Sequence, residues 1–357
     1  MGLNTEASAA LVYLVLYTIL FALMLYGYAT RRFTLGSRFT VILFHVMIRL
    51  ASQATGLAFG VVGYSNTSLL VAYFILGGEF FFFFFFFLFC SHPLDLRFFS
   101  TAEGYFTLII STYRFLIAWH NDNLAAHDSW LEPRFPPNTP LLTRLLWSCA
   151  LCGPTRRPMA VMHNLLIGAN VNIIVGEHRF HSIIFIFKYI YHSFFSNIYV
   201  GGSLLAEGSN SVKDFNSNTL LTVKILRTLA QSVFLSINIF LLYCIVDTIR
   251  QARLENPNKR THPTLLILLA IWPCLFIRGL YGVMSGVLPA FNYFNPDNYG
   301  NKGLKDSFLA SEYVMGTTME WVSCTMLMLT YITSRNDPKK ADLEAEKANK
   351  GPLVTEA

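Results

Sequence analysis

Apolar residues run along this chain in blocks separated by short polar segments, each block at least as long as the roughly 20 residues with which an α-helix crosses about 30 Å of hydrocarbon. Seven blocks stand at residues 9–29, 39–63, 68–119, 159–206, 220–247, 264–289 and 308–333. Blocks of this length read as spans and not as core strands, because a segment inside hydrocarbon must satisfy its own backbone polar groups, which a helix does. The pattern predicts an all-α fold, a polytopic transmembrane bundle of seven helices over residues 1–335. Residues 336–357 mix Lys, Glu, Asp and Ala without an apolar face, and read as a flexible cytosolic tail. The first run, Ala9 to Tyr28, lacks a basic leader and ends on Arg31 and Arg32, so it reads as an anchor that is retained.

Composition agrees: 54% of the residues are hydrophobic and 13% charged, against about 25% charged in an ordinary soluble domain. The net charge of +6 comes from short clusters between blocks, which membrane topology explains better than nucleic-acid binding. Arg31, Arg32 and Arg38 follow the first block; Arg134, Arg144, Arg156 and Arg157 the third; Arg250, Arg253, Lys259 and Arg260 the fifth; Arg335, Lys339 and Lys340 the seventh. Alternate loops hold little beyond Lys213, Lys302 and Lys305. The basic set is then cytosolic, with the N-terminus outside or lumenal and the C-terminus in the cytosol. The sequon at Asn66 falls on the outer side, where a glycan can be attached. Plasma membrane and endoplasmic reticulum both fit. The six cysteines are scattered and give no disulfide framework, metal set or cofactor motif.

The third and fourth blocks are too long for one span each. The third contains eight consecutive phenylalanines, Phe80 to Phe87, after Gly78-Glu79, and the fourth contains a second Gly-Glu at Gly176-Glu177. Gly-Glu can be encoded GGT-GAG, which holds a splice donor, and a T-rich tract translates to Phe. Residues 79–101 and 177–201 therefore read as two retained introns. Without them each block becomes one span; with them the count rises to as many as nine, and the loop carrying Arg144, Arg156 and Arg157 is exported against the positive-inside rule.

Charges inside the blocks are the candidate chemistry, since one at the bilayer centre costs at least about 2.5–3.5 kcal/mol unless it has a partner or a cavity. Depth predicts two ion pairs: Arg49 of the second block with Glu103 of the third, and Arg278 of the sixth with Glu320 of the seventh. Glu312 is a further charge in the seventh block. His45 lies four residues from Arg49 on one helical face, and Asn164 shares a stripe with Gly168 and Asn172. Arg49, Arg278, His163, Asn164, Trp272 and Tyr281 are the candidate binding residues of a polar-cored cavity roofed by aromatics. Glu103, Glu320 and, third, Asp247 are the candidate acids.

Around the sixth block, Trp272-Pro273-Cys274-Leu275-Phe276-Ile277-Arg278-Gly279-Leu280-Tyr281 with Ser285 resembles a pattern of fungal seven-helix membrane proteins of largely unknown function. Phe294 to Tyr299 and Glu312 to Trp321 are similar as well. The resemblance covers the last three spans and implies a seven-helix fold and a fungal source.

Three function classes follow for a bundle whose partners are membrane lipids and a lipophilic small molecule. In a membrane-bound terpene cyclase or tailoring enzyme a buried acid protonates an olefin or epoxide and aromatic faces stabilise the cation; this leads by a small margin, although an adjacent Arg makes a carboxyl a poorer acid. A seven-helix receptor fits the topology, but Tyr113-Arg114-Phe115 replaces the acidic-Arg-aromatic triplet of the large receptor family and the seventh block lacks Asn-Pro-x-x-Tyr. A transporter would be marked by inverted repeats or paired broken helices, and the sequence shows neither. No phosphate-binding GxxxxGK[ST] is present.

Overall fold

The computed structural model describes residues 4–34, 37–62, 104–123, 217–255, 260–292, 295–300 and 303–334, with a few single positions between them. These residues are helical apart from short connections and one two-residue antiparallel pairing, Tyr299–Gly300 with Gly303–Leu304. The helices are α1 (Thr5–Ala29), α2 (Phe39–Val62), α3 (Gly104–Asn123), α4 (Ser217–Glu255), α5 (Pro263–Val287), α6 (Asp306–Glu312) and α7 (Met319–Ser334). A π-helical segment, Tyr313–Thr318, joins α6 to α7. Four stretches are long and apolar enough to cross a membrane: Thr5–Ala29, Phe39–Val62, Thr228–Leu254 and Pro263–Val287. At 24 to 27 residues each extends to about 36–40 Å, more than the ~30 Å of a hydrocarbon core. The chain is membrane-embedded.

Helix starts follow local chemistry. Asn4 caps α1, its side-chain oxygen accepting from the Ala7 amide at 2.7 Å, and α5 begins on Pro263, whose missing N–H costs nothing in a first turn. The fifth block becomes the longest helix: α4 continues past Asp247 to Glu255, carrying polar residues out of the apolar zone. In the fourth block Met162, Leu166 and Ala169 are helical and buried, and their i, i+4, i+7 spacing puts them on one face.

The radial distribution is inverted relative to a soluble bundle. Val12, Val15, Ile19 and Leu23 of α1 and Ile239, Tyr243 and Val246 of α4 are exposed, whereas His45, Arg49, Ser52 and Gln53 of α2, Asn238 and Thr248 of α4 and Glu320 and Ser323 of α7 are buried. Lipid supplies no drive to hide apolar side chains, so the polar ones gather where they find partners.

Contacts fix the helix directions. Gly60 of α2 meets Ala7 of α1 while Tyr28 bonds Thr40 at the other end, so these two are antiparallel. His45 meets Thr107 and Phe39 meets Phe115, which sets α3 against α2. The α5 helix runs against α3 through Tyr105 over Gly279 and Trp119 beside His262. It runs against α4 through Gly279, Gly282 and Gly286, where an added Cβ would press on Leu235, Gln231 and Thr228 respectively; small residues at this spacing let two helices approach closely. Thr264 and Thr333, bonded at 2.9 Å, set α7 against α5. Hence α1, α3, α4 and α7 run one way and α2 and α5 the other. Arg31, Arg32, Arg38, Arg250, Arg253 and Arg260 all lie at one end of the bundle as a result.

Candidate functional site

Midway along the bundle three helices converge on one carboxylate. Glu320 lies in the first turn of α7, just past the π-helical segment, and is fully buried. Its Oε1 accepts from Arg278 Nε of α5 at 2.6 Å. Its Oε2 contacts Arg49 Nη2 of α2 and lies 3.8 Å from His45 Nε2. Two guanidinium groups from two helices therefore share one acid from a third. The Arg278 guanidinium also lies over the Tyr105 ring, 5.7 Å from its centroid, adding a cation–π contact to the ion pair.

The surrounding shell holds the pieces in place. His45 Nδ1 is 2.9 Å from Thr107 Oγ1 of α3, so a fourth helix is tied in. Tyr17 of α1 meets the His45 ring edge-on, centroids 6.5 Å apart. Cys324 sits one turn below Glu320 and is fully buried. Two residues before Glu320, Thr318 donates to the Tyr313 carbonyl at 2.7 Å, a bond across the widened π turn. Its hydroxyl also contacts the Tyr13 hydroxyl, while Tyr313 stacks on Tyr13 at 5.4 Å and donates to Gln53 Oε1 at 3.4 Å. Buried atoms of this region with no hydrogen-bond partner among the described residues include the Tyr17 hydroxyl, Arg49 Nε, Trp321 Nε1 and Glu320 Oε2.

The expected Arg278–Glu320 pair is present. Arg49 turns to Glu320 as well; Glu103, its expected partner, lies outside the described residues. The physical reason is azimuth. Depth along a helix is legible in sequence, but which neighbour a side chain faces depends on helix rotation, and the His45–Arg49–Gln53 face of α2 turns toward α7.

Asp247 does not join the cluster. It accepts from Gln251 Nε2 at 2.7 Å at the basic end of α4, 12 residues and about 18 Å along the helix from Leu235, the α4 residue level with Gly279. Trp272 donates to the Asn238 carbonyl at 2.9 Å and stacks on Phe276 at 5.1 Å, binding α5 to α4. Tyr281 is buried near Gly316 and against Phe291. His163, Asn164 and Asn66 lie outside the described residues. Sequence reasoning missed Tyr13, Tyr17, Gln53 and Thr107; the i, i+4 pair of polar-tipped tyrosines in the aliphatic first block was the available signal.

Fold and site together define a helical membrane protein with a buried charge cluster. Comparison with protein-family models, curated proteins and solved structures finds no match to this chain.

Proposed function

We propose that this chain is a seven-helix membrane protein that holds a lipophilic small molecule among its helices and reports it by a shift of those helices, a receptor-like sensor and not an acid catalyst. The observation that carries the reading is the single Glu320 carboxylate shared by Arg49 and Arg278. Each carboxylate oxygen lies against a guanidinium group, Oε1 accepting from Arg278 and Oε2 in an ion contact with Arg49, and an acid beside two cations is a poor proton source for an olefin or epoxide. What the cluster does is lock α2, α5 and α7 together at one point, and a ligand that competes for any arm of that lock changes how the three helices sit. A switch needs two packings of similar energy and a ligand with differential affinity for them; the π-helical turn beside Glu320 is a place where helix register can change.

The seven-span count draws support from helix direction. The α2 helix ends, and α3 starts, at the end away from the arginines, so residues 63–103 join two ends on one side, which takes an even number of crossings. Residues 124–216 join the basic end of α3 to the opposite end of α4, which takes an odd number. One crossing in the fourth block satisfies this and gives seven; counting 68–90 or 180–199 as one additional span breaks it. This favours 79–101 and 177–201 as retained introns, and reverse-transcribed message lacking both segments is the expected result. Basic clusters at one end favour a cytosolic placement of that end, with the N-terminus outside. The fungal family resemblance belongs to the same reading.

The test is chemical recovery. Purified chain in detergent, incubated with prenylated and terpenoid lipophiles, is expected to return them unaltered in mass and chromatographic retention while amide exchange changes across residues 313–320. A recovered cyclised or isomerised product sinks the sensor reading and reinstates the membrane enzyme, with Glu103 as its acid.

A further inference from the structure

Among the buried atoms of the charge cluster that make no hydrogen bond among the described residues, two are donors that flank Glu320, whose Oε2 meets Arg49 as an ion contact only. Arg49 spends Nη2 on Glu320, but its Nε–H is buried and meets no acceptor; the Tyr17 hydroxyl, on a residue with no exposure at all, is in the same position. Both residues border the Glu320 carboxylate: Arg49 by direct contact, Tyr17 through the His45 ring that faces it. An unmade hydrogen bond at a buried donor costs the whole desolvation of that group, and an oxygen acceptor brought from outside the chain would satisfy donors that stand on neighbouring helices at one depth. A guanidinium donor favours an anionic one, because charge-assisted hydrogen bonds are shorter and roughly twice as strong as neutral ones. Tyr17, Ile42, Val46, Tyr105, Leu275, Cys324 and Leu327 belong to one continuous apolar core, so whatever carries that oxygen must be apolar elsewhere.

We infer that the occupant of the bundle is an amphiphile with an oxyanion head, carboxylate or phosphate, and that Arg49 Nε and the Tyr17 hydroxyl receive that head beside Glu320. This rests on the ligand-holding function proposed above and adds the chemical class of the ligand. It also supplies the competition that the sensor needs: an incoming oxyanion draws on the guanidinium that Glu320 holds, loosening the α2–α7 arm while leaving Arg278 on the same carboxylate.

Native mass spectrometry of the full purified chain tests this with three probes: palmitate, hexadecanol as its uncharged counterpart, and dipalmitoyl phosphatidic acid. Palmitate or phosphatidic acid is expected to bind at least about tenfold more tightly than hexadecanol, the value of one charge-assisted hydrogen bond, and which of the two wins tells a free acid from a lipid headgroup. Tyr17→Phe keeps the ring and removes only the hydroxyl; it is expected to cut that preference by about tenfold. Arg49→Lys keeps the charge near Glu320 and removes the Nε donor, with the same expected loss. Equal binding of palmitate, phosphatidic acid and hexadecanol to wild type overturns the oxyanion assignment and leaves the lipophile-holding function standing. A folded Tyr17→Phe protein with the full preference overturns it too, whether or not Arg49→Lys folds. Failure of all three probes to bind overturns both readings.

Discussion

At Glu320 one carboxylate pairs with two arginines, and the energetic consequence is asymmetric. Replacing a whole buried ion cluster by apolar groups can be neutral, but removing one member strands the others, at about 3–5 kcal/mol. Arg278→Ala and Glu320→Gln are therefore each expected to destabilise the bundle by about 3–5 kcal/mol, and the double variant by clearly less than the sum, since each single change already breaks the same contact. Unfolding titrations in mixed micelles measure all three; strict additivity means that the 2.6 Å contact contributes nothing as a pair. At this scale the sequence was informative about depth and silent about direction. Arg278 and Glu320 match in depth and do meet, but a one-to-one matching of charges left no room for a carboxylate with two partners, and it assigned Arg49 elsewhere. Tyr17 escaped notice for a related reason: in a chain with 15% aromatic residues a single tyrosine in an aliphatic block carries little weight until its hydroxyl is seen to be buried.

Among the elements, the seventh block shows most clearly what a hydrophobic pattern conceals. Its ends were legible to within two residues, 308–333 expected against a helical path from Asp306 to Ser334, but the π-helical turn inside it was not. An inserted residue shifts the helical phase by about 100°, a shift that shows only when one face is polar and the other apolar; in a membrane segment both faces are apolar and the phase leaves no trace. The turn has a use in the structure, because it allows Tyr313 and Thr318 to face Tyr13 of α1 together. Deleting Val314, whose side chain is 56% exposed, should let the segment close as α-helix and rotate Tyr313 away from Tyr13 and Gln53. The expected cost is about 1–3 kcal/mol for the stranded buried polar groups, whereas Val314→Ala should stay within about 0.5 kcal/mol as a surface change. Crosslinking of Tyr13→Cys to Tyr313→Cys by a bifunctional thiol reagent reads the geometry: it should proceed in the parent, where the two rings stack, and be lost on the deletion. If the deletion leaves crosslinking intact, the π turn does not set the register of α6.

For the whole molecule, the alternation of basic and non-basic loops foretold an arrangement that the helix contacts reproduce independently. Arg38 donates to Ser334 at 2.7 Å and Arg253 to Thr261 at 3.1 Å, so arginines separated by hundreds of positions in sequence collect at one end, while Lys305 and Asp306 stand at the other. Charge asymmetry of this kind sets orientation during insertion. It does so loop by loop, which makes it testable loop by loop. In a cysteine-free background, Lys305→Cys should react with a membrane-impermeant maleimide from outside unbroken cells, and Arg253→Cys only after the membrane is opened. The same pair should behave identically in a chain lacking 79–101 alone and in one lacking 177–201 alone, as expected if neither segment crosses the membrane. Labelling of Arg253→Cys in unbroken cells would reverse the orientation; a change of sidedness at either position on removing one segment would mean that this segment is a true span, and the natural bundle would then hold more than seven helices.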